Sequence, residues 1–303
     1  MKMIRRRRVL SIIAGLAALP TLPLLGTKAF ASVRNWQGIS LGANAQIILD
    51  HPNADTLILQ ALAEINRLEK IFSLFDANSQ LSLLNKQGQL KDPAFELVEL
   101  LSISSTINDR TKGAFDPSIQ PLWALYANRY ANGLAPQENE IAKIKELTGW
   151  KNVRFSANQI SFKKQGMALS LNGIAQGYIA DKITELFKRN GISNVLINTG
   201  EISALGKSPQ DQDWQIKIAN SEKSVELNNM AIATSASLGT VFDKQGQVGH
   251  IINPISGEPT GQQKQISVIA KSAAIADGLS TGFLLMSRDE IIAAKGIEKI
   301  IFS

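Results

Sequence analysis

The sequence predicts an α+β fold, arranged as a single two-lobed globular unit. Apolar residues recur at helical spacing through the first half of the chain, and short strand-like segments begin at Val153, interrupted by two helices. Helices and strands segregated in this way are typical of α+β proteins, whereas regular alternation indicates a parallel sheet. We therefore expect helices mainly in the N-terminal part, and mixed or antiparallel strands with two inserted helices in the C-terminal part.

Residues 1–31 are typical of a secretory signal peptide. Arginines at positions 5–8 precede an apolar run over 9–19, and Ala29-Phe30-Ala31 places small residues where a signal peptidase cuts. The run is too short to span a bilayer, and the arginines before Val9-Leu10 favour the twin-arginine route over the Sec route. We expect export to the periplasm and a globular domain over 32–303.

Helical periodicity dominates the first half of that domain. A strand over 44–50 opens it, and a helix follows with apolar residues at 57, 61, 65, 68 and 72. After a loop at 76–79, further helices are predicted over 93–111, 121–130 and 138–147.

Short strands dominate the second half. They are predicted over 152–156, 159–163, 168–171, 193–198, 202–206, 214–219, 223–227, 230–234, 248–252 and 265–270. The two inserted helices are expected over 174–189, which ends at Asn190-Gly191, and over about 272–286.

Composition excludes several classes of function. The chain has 32 Lys and Arg against 26 Asp and Glu, and the excess of basic residues lies in 1–31, so the charge of the remainder gives no sign of nucleic-acid binding. The sequence has no cysteine and two histidines, His51 and His250. Thiol nucleophiles, Cys-ligated metals and multi-histidine centres are therefore excluded, and any metal must be held by oxygen.

Asp277 and Thr281 are candidate metal ligands. They lie four residues apart and so share one face of the helix predicted over 272–286. A carboxylate and a hydroxyl are hard oxygen donors, which suit Mg²⁺ or Ca²⁺ rather than zinc. The alternative, from these residues alone, is structural: Asp277 caps the start of a helix or places its negative charge there, and Thr281 packs against its neighbours.

The segment 171–178 is a candidate anion site. A strand that runs through Gly173 into a helix can present backbone N–H groups and the positive end of the helix dipole to an anion. The segment matches neither the P-loop nor the G-x-G-x-x-G pattern. A plain strand-to-helix turn remains the alternative.

Two other segments each admit two interpretations. In 113–117, Asp116 precedes Pro117 and can either present its carboxylate to a ligand or close the preceding helix as an Asx turn. His250, which leads into Asn253-Pro254, can either accept a proton in a cleft or be a hydrogen-bonded structural residue.

Taken together, these segments resemble the FAD:protein FMN transferases of the ApbE type, which move FMN from FAD onto a Ser or Thr of another protein. The resemblance covers roughly residue 39 to the C-terminus. Besides 113–117, 171–178, 250–254 and 276–281, it rests on Leu41-Gly42-Ala43 and on residues 75–85, 197–201 and 233–235.

The resemblance implies a site and a mechanism. Mg²⁺ would be held by the Asp277 carboxylate, the Thr281 hydroxyl and the backbone carbonyl of Ala175, and His250 and Asp277 are the implied catalytic residues. His250 would help to deprotonate the acceptor hydroxyl, which attacks the FMN phosphorus so that AMP leaves. The acceptor would be a flavoprotein subunit exposed outside the cytoplasm. The implied FAD contacts are Leu41, Phe75, Ala114, Phe115, Asp116, Asn172, Tyr178 and Ile252.

Several positions depart from the family pattern. Ser170 stands where Asp is common, Asn172 where Gly is usual, Gln176 where Lys is frequent, and Asn253 where Asp is common. The implied metal ligands are retained, so we expect a divergent but active enzyme. Two alternatives remain: an Mg²⁺-dependent FAD pyrophosphatase that releases FMN and AMP, and a non-catalytic flavin-binding or assembly protein.

Overall fold

The computed structural model describes residues 33–219, 221–260, 264–293 and 297–302. It has the predicted α+β fold, and its named strands pair antiparallel throughout this part of the chain. The predicted signal peptide lies outside the described residues, and the division into two lobes stays a prediction. No helix in the described ranges is long and apolar enough to cross a membrane.

A seven-stranded antiparallel sheet organises the described residues. Its strands lie in the order β1 (Arg34–Ser40), β2 (Ala43–Leu49), β6 (Val195–Asn198), β7 (Ile202–Leu205), β10 (Met230–Ala236), β11 (Gln265–Ala270) and β12 (Lys299–Phe302). A smaller sheet joins β3 (Gln89–Lys91), β5 (Gln159–Phe162) and β4 (Val153–Phe155), and a hairpin joins β8 (Trp214–Lys217) to β9 (Ser224–Leu227).

The helices lie mainly before residue 150, as predicted. In chain order they are α1 (Ala54–Phe72), α2 (Gln80–Gln87), α3 (Phe95–Arg110), α4 (Gln120–Ala131), α5 (Glu138–Lys145), α6 (Ala175–Arg189), α7 (Ala273–Phe283) and α8 (Arg288–Ile292).

The large sheet is covered on both faces. Ile47 and Leu49 of β2 belong to the main core, which contains the buried faces of α1, α6 and α7. Ile48 points the other way and packs in a second cluster with Trp214 and Val225 of the β8–β9 hairpin. Successive residues of a strand face opposite sides, so one strand supplies both clusters. Each such apolar side chain contributes about 1.5–3 kcal/mol when fully buried.

Two predicted strands are wrong. Residues 168–171 form no strand, because the Asn85 side chain makes both backbone hydrogen bonds of Leu169. Leu169 N–H donates to Asn85 Oδ1 over 2.7 Å, and Asn85 Nδ2 donates to the Leu169 carbonyl over 2.8 Å. Residues 248–252 form a loop with only isolated bridges, Val241↔Gly249 and Ile252↔Pro259. In both places apolar residues are buried without a ladder of strand hydrogen bonds.

Other elements were not predicted. The first element of the described residues is β1, an edge strand whose mostly exposed, polar residues give little alternation. Helix α2 begins after Ser79, whose hydroxyl accepts from Ser82 N–H, and ends at Gly88 with φ +74°. That cap and stop are sequence signals that would have revealed α2. The short elements β3, α8 and β12 were missed as well.

Candidate active site

The first turn of α6 lies directly against α7. Gly177 N–H donates to Oδ2 of Asp277 over 3.1 Å. A Cβ at Gly177 would lie 2.3 Å from the backbone oxygen of Ala273, and a Cβ at Gly173 would lie 2.9 Å from Thr281 Oγ1. The two glycines therefore allow an approach that a larger residue would block. The structure places residues 173–177 beside Asp277 and Thr281.

Asp277 is a buried carboxyl group, only 4% exposed. Burial raises its pKa to about 7, the Gly177 N–H acts against this rise, and the charge of Asp181 adds to it. An opposite charge favours the ionised form of a carboxyl, so a cation bound here would restore the carboxylate.

A second buried acid, Glu201, lies close enough to sense the charge of Asp277. Burial raises the pKa of Glu201 well above its usual range, Asp277 raises it further, and a hydrogen bond from Thr234 N–H opposes the rise. Glu201 was not predicted as a site residue and entered the prediction only as part of the 197–201 segment. The feature of the sequence that could have revealed Glu201 is a single acidic residue between two apolar strands, β6 and β7.

A set of hydroxyl groups fixes the orientation of Thr281. Ser280 Oγ donates to the backbone oxygen of Asp277 over 2.9 Å. Ser235 Oγ lies 2.7 Å from Ser280 Oγ and 3.2 Å from Thr281 Oγ1. Because Ser280 uses its proton on the carbonyl, Ser235 donates to Ser280 and Thr281 donates to Ser235. The lone pairs of Thr281 Oγ1 are then available to a cation.

The donor set fits a small, hard cation. The Asp277 carboxylate, the Thr281 hydroxyl and the Ala175 carbonyl are all oxygen donors, and Ala175 is the first residue of α6. Mg²⁺ is bound by few protein oxygens and completes its shell with water and substrate phosphate. Within the part of the chain that the structure describes, no three Asp, Glu, His or Cys side chains converge as a metal cluster.

His250 is oriented by the backbone of the loop that precedes it. Its Nδ1 lies 2.9 Å from the backbone oxygen of Thr240, which also accepts from His250 N–H over 3.0 Å. A carbonyl can only accept, so Nδ1 carries the proton and Nε2 is the acceptor nitrogen. Burial lowers the pKa of the imidazole, against the effect of the Thr240 bond. His250 is therefore a neutral proton acceptor at pH 7.

The His250 loop packs against the end of β10. A Cβ at Gly249 would lie 2.1 Å from the backbone oxygen of Ser237, two residues after Ser235. The chain thus brings His250 to the same end of β10 as the hydroxyl groups around Thr281.

Asp116 uses both carboxylate oxygens within the chain. Its Oδ1 accepts from Ser118 N–H over 2.8 Å and from Ser118 Oγ over 2.7 Å, and its Oδ2 accepts from Trp150 N–H over 3.0 Å. Burial raises its pKa, and these three bonds oppose the rise. The geometry is that of an Asx turn, but the turn opens the short 3-10 helix Pro117–Ile119 and does not close the preceding helix, which ends at Arg110. A contact between the Asp116 side chain and FAD stays a prediction.

Ala114 and Phe115 are buried beside this turn. Phe115 packs against α7, because a Cβ added at Gly282 of that helix would lie 3.1 Å from the Cβ of Phe115. The Pro117 carbonyl accepts from Ser170 N–H over 2.8 Å, which joins the 113–117 segment to the chain entering α6.

The Tyr178 side chain lies almost entirely in the core. Its ring is 2% exposed, lies edge-on to Phe72 at 5.4 Å, and donates its hydroxyl to Glu99. Burial and the Glu99 carboxylate both raise its pKa. The side chain therefore packs between Phe72 of α1 and Glu99 of α3, and a contact between Tyr178 and FAD stays a prediction.

The remaining predicted FAD contacts differ in exposure. Phe75 is 64% exposed after α1, and Asn172 is exposed just before α6. Leu41 is half-buried in the β1–β2 turn at φ +45°, where its N–H donates to Glu69 over 2.6 Å. Ile252 is buried with Leu122 and Tyr126. Phe75 and Asn172 are thus accessible to a ligand, whereas the Ile252 side chain is part of a core.

Comparison with known proteins supports a common family for this arrangement. A model of the ApbE family matches residues 39–300. The FAD:protein FMN transferase of Vibrio cholerae serotype O1 is 28% identical over 306 residues, which cover 94% of this chain and 91% of that protein. The protein of the same name from Escherichia coli is 24% identical over 251 residues, covering 76% and 71%.

Solved structures share the fold. The Pseudomonas stutzeri flavinyl transferase ApbE, in its apo form, superposes with a TM-score of 0.80 at 25% identity, covering 91% of this chain and 92% of that one. The apbe protein of Thermotoga maritima gives a TM-score of 0.77 at 24% identity, covering 89% and 94%.

Proposed function

The chain belongs to the ApbE family, and from that membership we propose that it is an FAD:protein FMN transferase, an enzyme that moves FMN from FAD to a hydroxyl of another protein. The acceptor is a Ser or Thr of a protein exposed outside the cytoplasm. The bond that forms joins the acceptor oxygen to the FMN phosphorus, and the bond that breaks releases AMP.

The observation that carries this proposal is the junction of α6 with α7. Gly177 N–H binds Asp277, and Gly173 lies against Thr281, so the N-terminal end of α6 and two oxygen donors of α7 share one location. A helix N-terminus attracts phosphate, and hard oxygen donors attract Mg²⁺. A pyrophosphate that carries a divalent cation suits both.

Residues of this chain supply the proton transfer as well. With its proton held on Nδ1 by Thr240, His250 presents Nε2 to take the proton of the acceptor hydroxyl. The burial that lowers its pKa keeps the imidazole neutral before the reaction.

We propose that Asp277, Thr281 and the carbonyl of Ala175 hold Mg²⁺ during catalysis. When bound, the ion supplies positive charge against the pyrophosphate of FAD. The Gly177 N–H bond orients the Asp277 carboxylate, and the Ser235 and Ser280 hydroxyls orient Thr281, so two of the three donors are held in place by this chain.

The test is to incubate the protein with FAD, Mg²⁺ and a candidate exported flavoprotein, and to weigh the acceptor by mass spectrometry. We expect a gain of one FMN less one water, and the same gain should disappear with EDTA. Asp277→Ala should reduce the transfer rate by at least about 100-fold, because a metal ligand contributes more than the outer partners whose loss costs about 10–100-fold.

Other outcomes would favour the alternatives. FAD cleaved to FMN and AMP at one rate with or without the acceptor would indicate a pyrophosphatase. FAD that stays intact and bound would indicate a flavin-binding protein.

We also propose that the chain is exported to the periplasm, by the twin-arginine route, under the direction of residues 1–31. The support is the sequence pattern of four arginines, an apolar run and Ala29-Phe30-Ala31. Replacing the arginines at 5–8 with lysine should prevent export through the twin-arginine route and leave the protein in the cytoplasm. Unchanged export of that variant would contradict the route.

A further inference from the structure

The turn between β6 and β7 contacts two other segments, the first turn of α6 and the end of β10. Asn198 pairs with Ile202, and Thr199 N–H donates to the Glu201 carbonyl over 3.0 Å. Gly200 has φ +106°, a conformation that side chains rarely adopt, and its N–H donates to Asn198 Oδ1 over 2.9 Å. Two hydrogen bonds therefore hold the turn in a conformation that favours glycine at position 200.

One side of this turn holds the first turn of α6. Thr199 is fully buried, and its Oγ1 donates to the backbone oxygen of Gln176 over 2.8 Å. A Cβ at Gly200 would lie 2.6 Å from the side-chain Cδ of Gln176. Gln176 lies between Ala175, whose carbonyl is a proposed ligand, and Gly177, whose N–H holds Asp277.

The other side of the turn holds β10. Pairing between β7 and β10 ends at Ile202↔Ile232, and the Glu201 carboxylate then accepts from Thr234 N–H over 3.0 Å. Thr234 precedes Ser235, which bonds Thr281. The same turn therefore hydrogen-bonds two backbone segments: the first turn of α6, which carries Ala175, and the end of β10, which carries Ser235.

From these contacts we infer that Thr199 is a positioning residue, whose hydroxyl holds the backbone of α6 so that the Ala175 carbonyl can ligate the metal. The inference rests on the metal site proposed above. Deleting an outer hydrogen bond that orients a metal ligand costs about 10–100-fold in affinity.

The test compares Thr199→Val with Thr184→Val in the full-length protein. Thr184 is the control on the same helix, two turns further along: its buried Oγ1 lies 2.8 Å from the Ala180 backbone oxygen and 2.8 Å from Ser203 Oγ. Its removal therefore deletes at least as many hydrogen bonds as Thr199→Val, but away from Ala175. The affinity for Mg²⁺ is measured from Mg²⁺-dependent thermal shifts, with and without FAD.

We expect Thr199→Val to weaken Mg²⁺ binding by about 10-fold or more, whereas Thr184→Val should stay within about twofold of wild type. Thr199→Ser keeps the hydroxyl and should recover most of the affinity. Equal Mg²⁺ affinities in Thr199→Val and Thr184→Val would overturn the inference. If Thr199→Val does not fold, Thr199→Ala takes its place in the same comparison.

The outcomes separate this inference from the proposed function. Wild-type protein that transfers FMN but binds Mg²⁺ no better than Thr199→Val would overturn only the role of Thr199. Wild-type protein that shows no Mg²⁺-dependent shift in either condition would refute the metal site, and this inference with it.

Discussion

At the scale of residues, the proposed site contains three groups whose pKa values are shifted by burial in the fold. Burial raises the pKa of the Asp277 carboxyl to about 7 and raises that of Glu201 as well, whereas burial lowers the pKa of His250. A protein keeps such unfavourable environments mainly where they serve function. A bound cation would offset the cost for Asp277, and a lowered pKa suits a histidine that accepts a proton.

The pH dependence of transfer should report His250. A lowered pKa keeps the imidazole neutral, and able to accept a proton, as pH falls through the ordinary value of 6.5. With saturating Mg²⁺, which keeps Asp277 ionised, kcat/KM should therefore begin to fall only below pH 6.5. The measurement is a pH–rate profile of FMN transfer.

The control for this profile is the other histidine. His250→Gln should lower kcat by about 10²–10⁴-fold, as expected for loss of a general base. His51→Gln should leave kcat unchanged, because the His51 ring accepts a hydrogen bond from Asn53 N–H before α1. An acid limb that persists in His250→Gln would assign the titration to another group.

At the scale of elements, the contact between α6 and α7 brings the proposed metal ligands together. Asp181 of α6 caps α7, accepting from Ser272 Oγ at 2.6 Å, from Ala273 N–H at 2.7 Å and from Ala274 N–H at 3.0 Å. One turn earlier in α6, Gly177 meets Asp277. The two helices are therefore joined at two successive points, which fixes their separation.

Gly177→Ala should damage stability and transfer together. Its Cβ would lie 2.3 Å from the Ala273 oxygen, a backbone atom that cannot move aside alone. Overpacking of this kind costs about 1–3 kcal/mol, and a shift of about 1 Å at a reacting centre can cost 10²-fold in rate. Urea unfolding and the transfer assay measure the two effects.

Lys188→Ala is the matched control on the same helix. Lys188 is exposed near the end of α6, so its removal should change the free energy of unfolding by no more than about 0.5 kcal/mol. A Gly177→Ala variant as stable and active as Lys188→Ala would show that the two helices can separate freely.

At the scale of the molecule, the large sheet separates the site from a second core. The helices that carry Asp277 and Ala175 pack on one face, and the β8–β9 hairpin covers the other. Trp214 is 6% exposed in that hairpin, and its Nε1 donates to the Leu205 carbonyl over 3.2 Å.

Trp214→Ala should therefore destabilise the protein without changing the chemistry. Truncating a buried Trp costs about 3–5 kcal/mol, which thermal or urea unfolding would detect. Below the unfolding transition, kcat per folded molecule should stay within about twofold, because the change lies on the opposite face of the sheet from the site. A large fall in kcat with intact folding would mean that the two faces are coupled.

The helices and most strands were predictable because their signals are local. The buried face of α1 recurs at the spacing seen in the sequence, and Asn190-Gly191 marks the end of α6. The strand predicted over 168–171 does not form, because Asn85, which is distant in sequence, makes the backbone hydrogen bonds of Leu169. Edge strand β1 was missed because its residue types do not follow its burial: the inner face carries Gly38 and Ser40, and the exposed face carries Ile39.

The sequence by itself determined the α+β class and, with no cysteine and two histidines, the oxygen character that any metal site must have, because periodicity and composition carry that information. Its resemblance to the ApbE-type transferases, rather than local spacing, singled out the segments that are proposed to form the site. Only the tertiary structure decided how those segments meet. It placed Tyr178 in the core, committed Asp116 to its own turn, and brought Glu201 near Asp277. The interactions of Tyr178 with Glu99, of Asp116 with Trp150 and of Glu201 with Asp277 join residues far apart in the chain, so no local pattern specifies them.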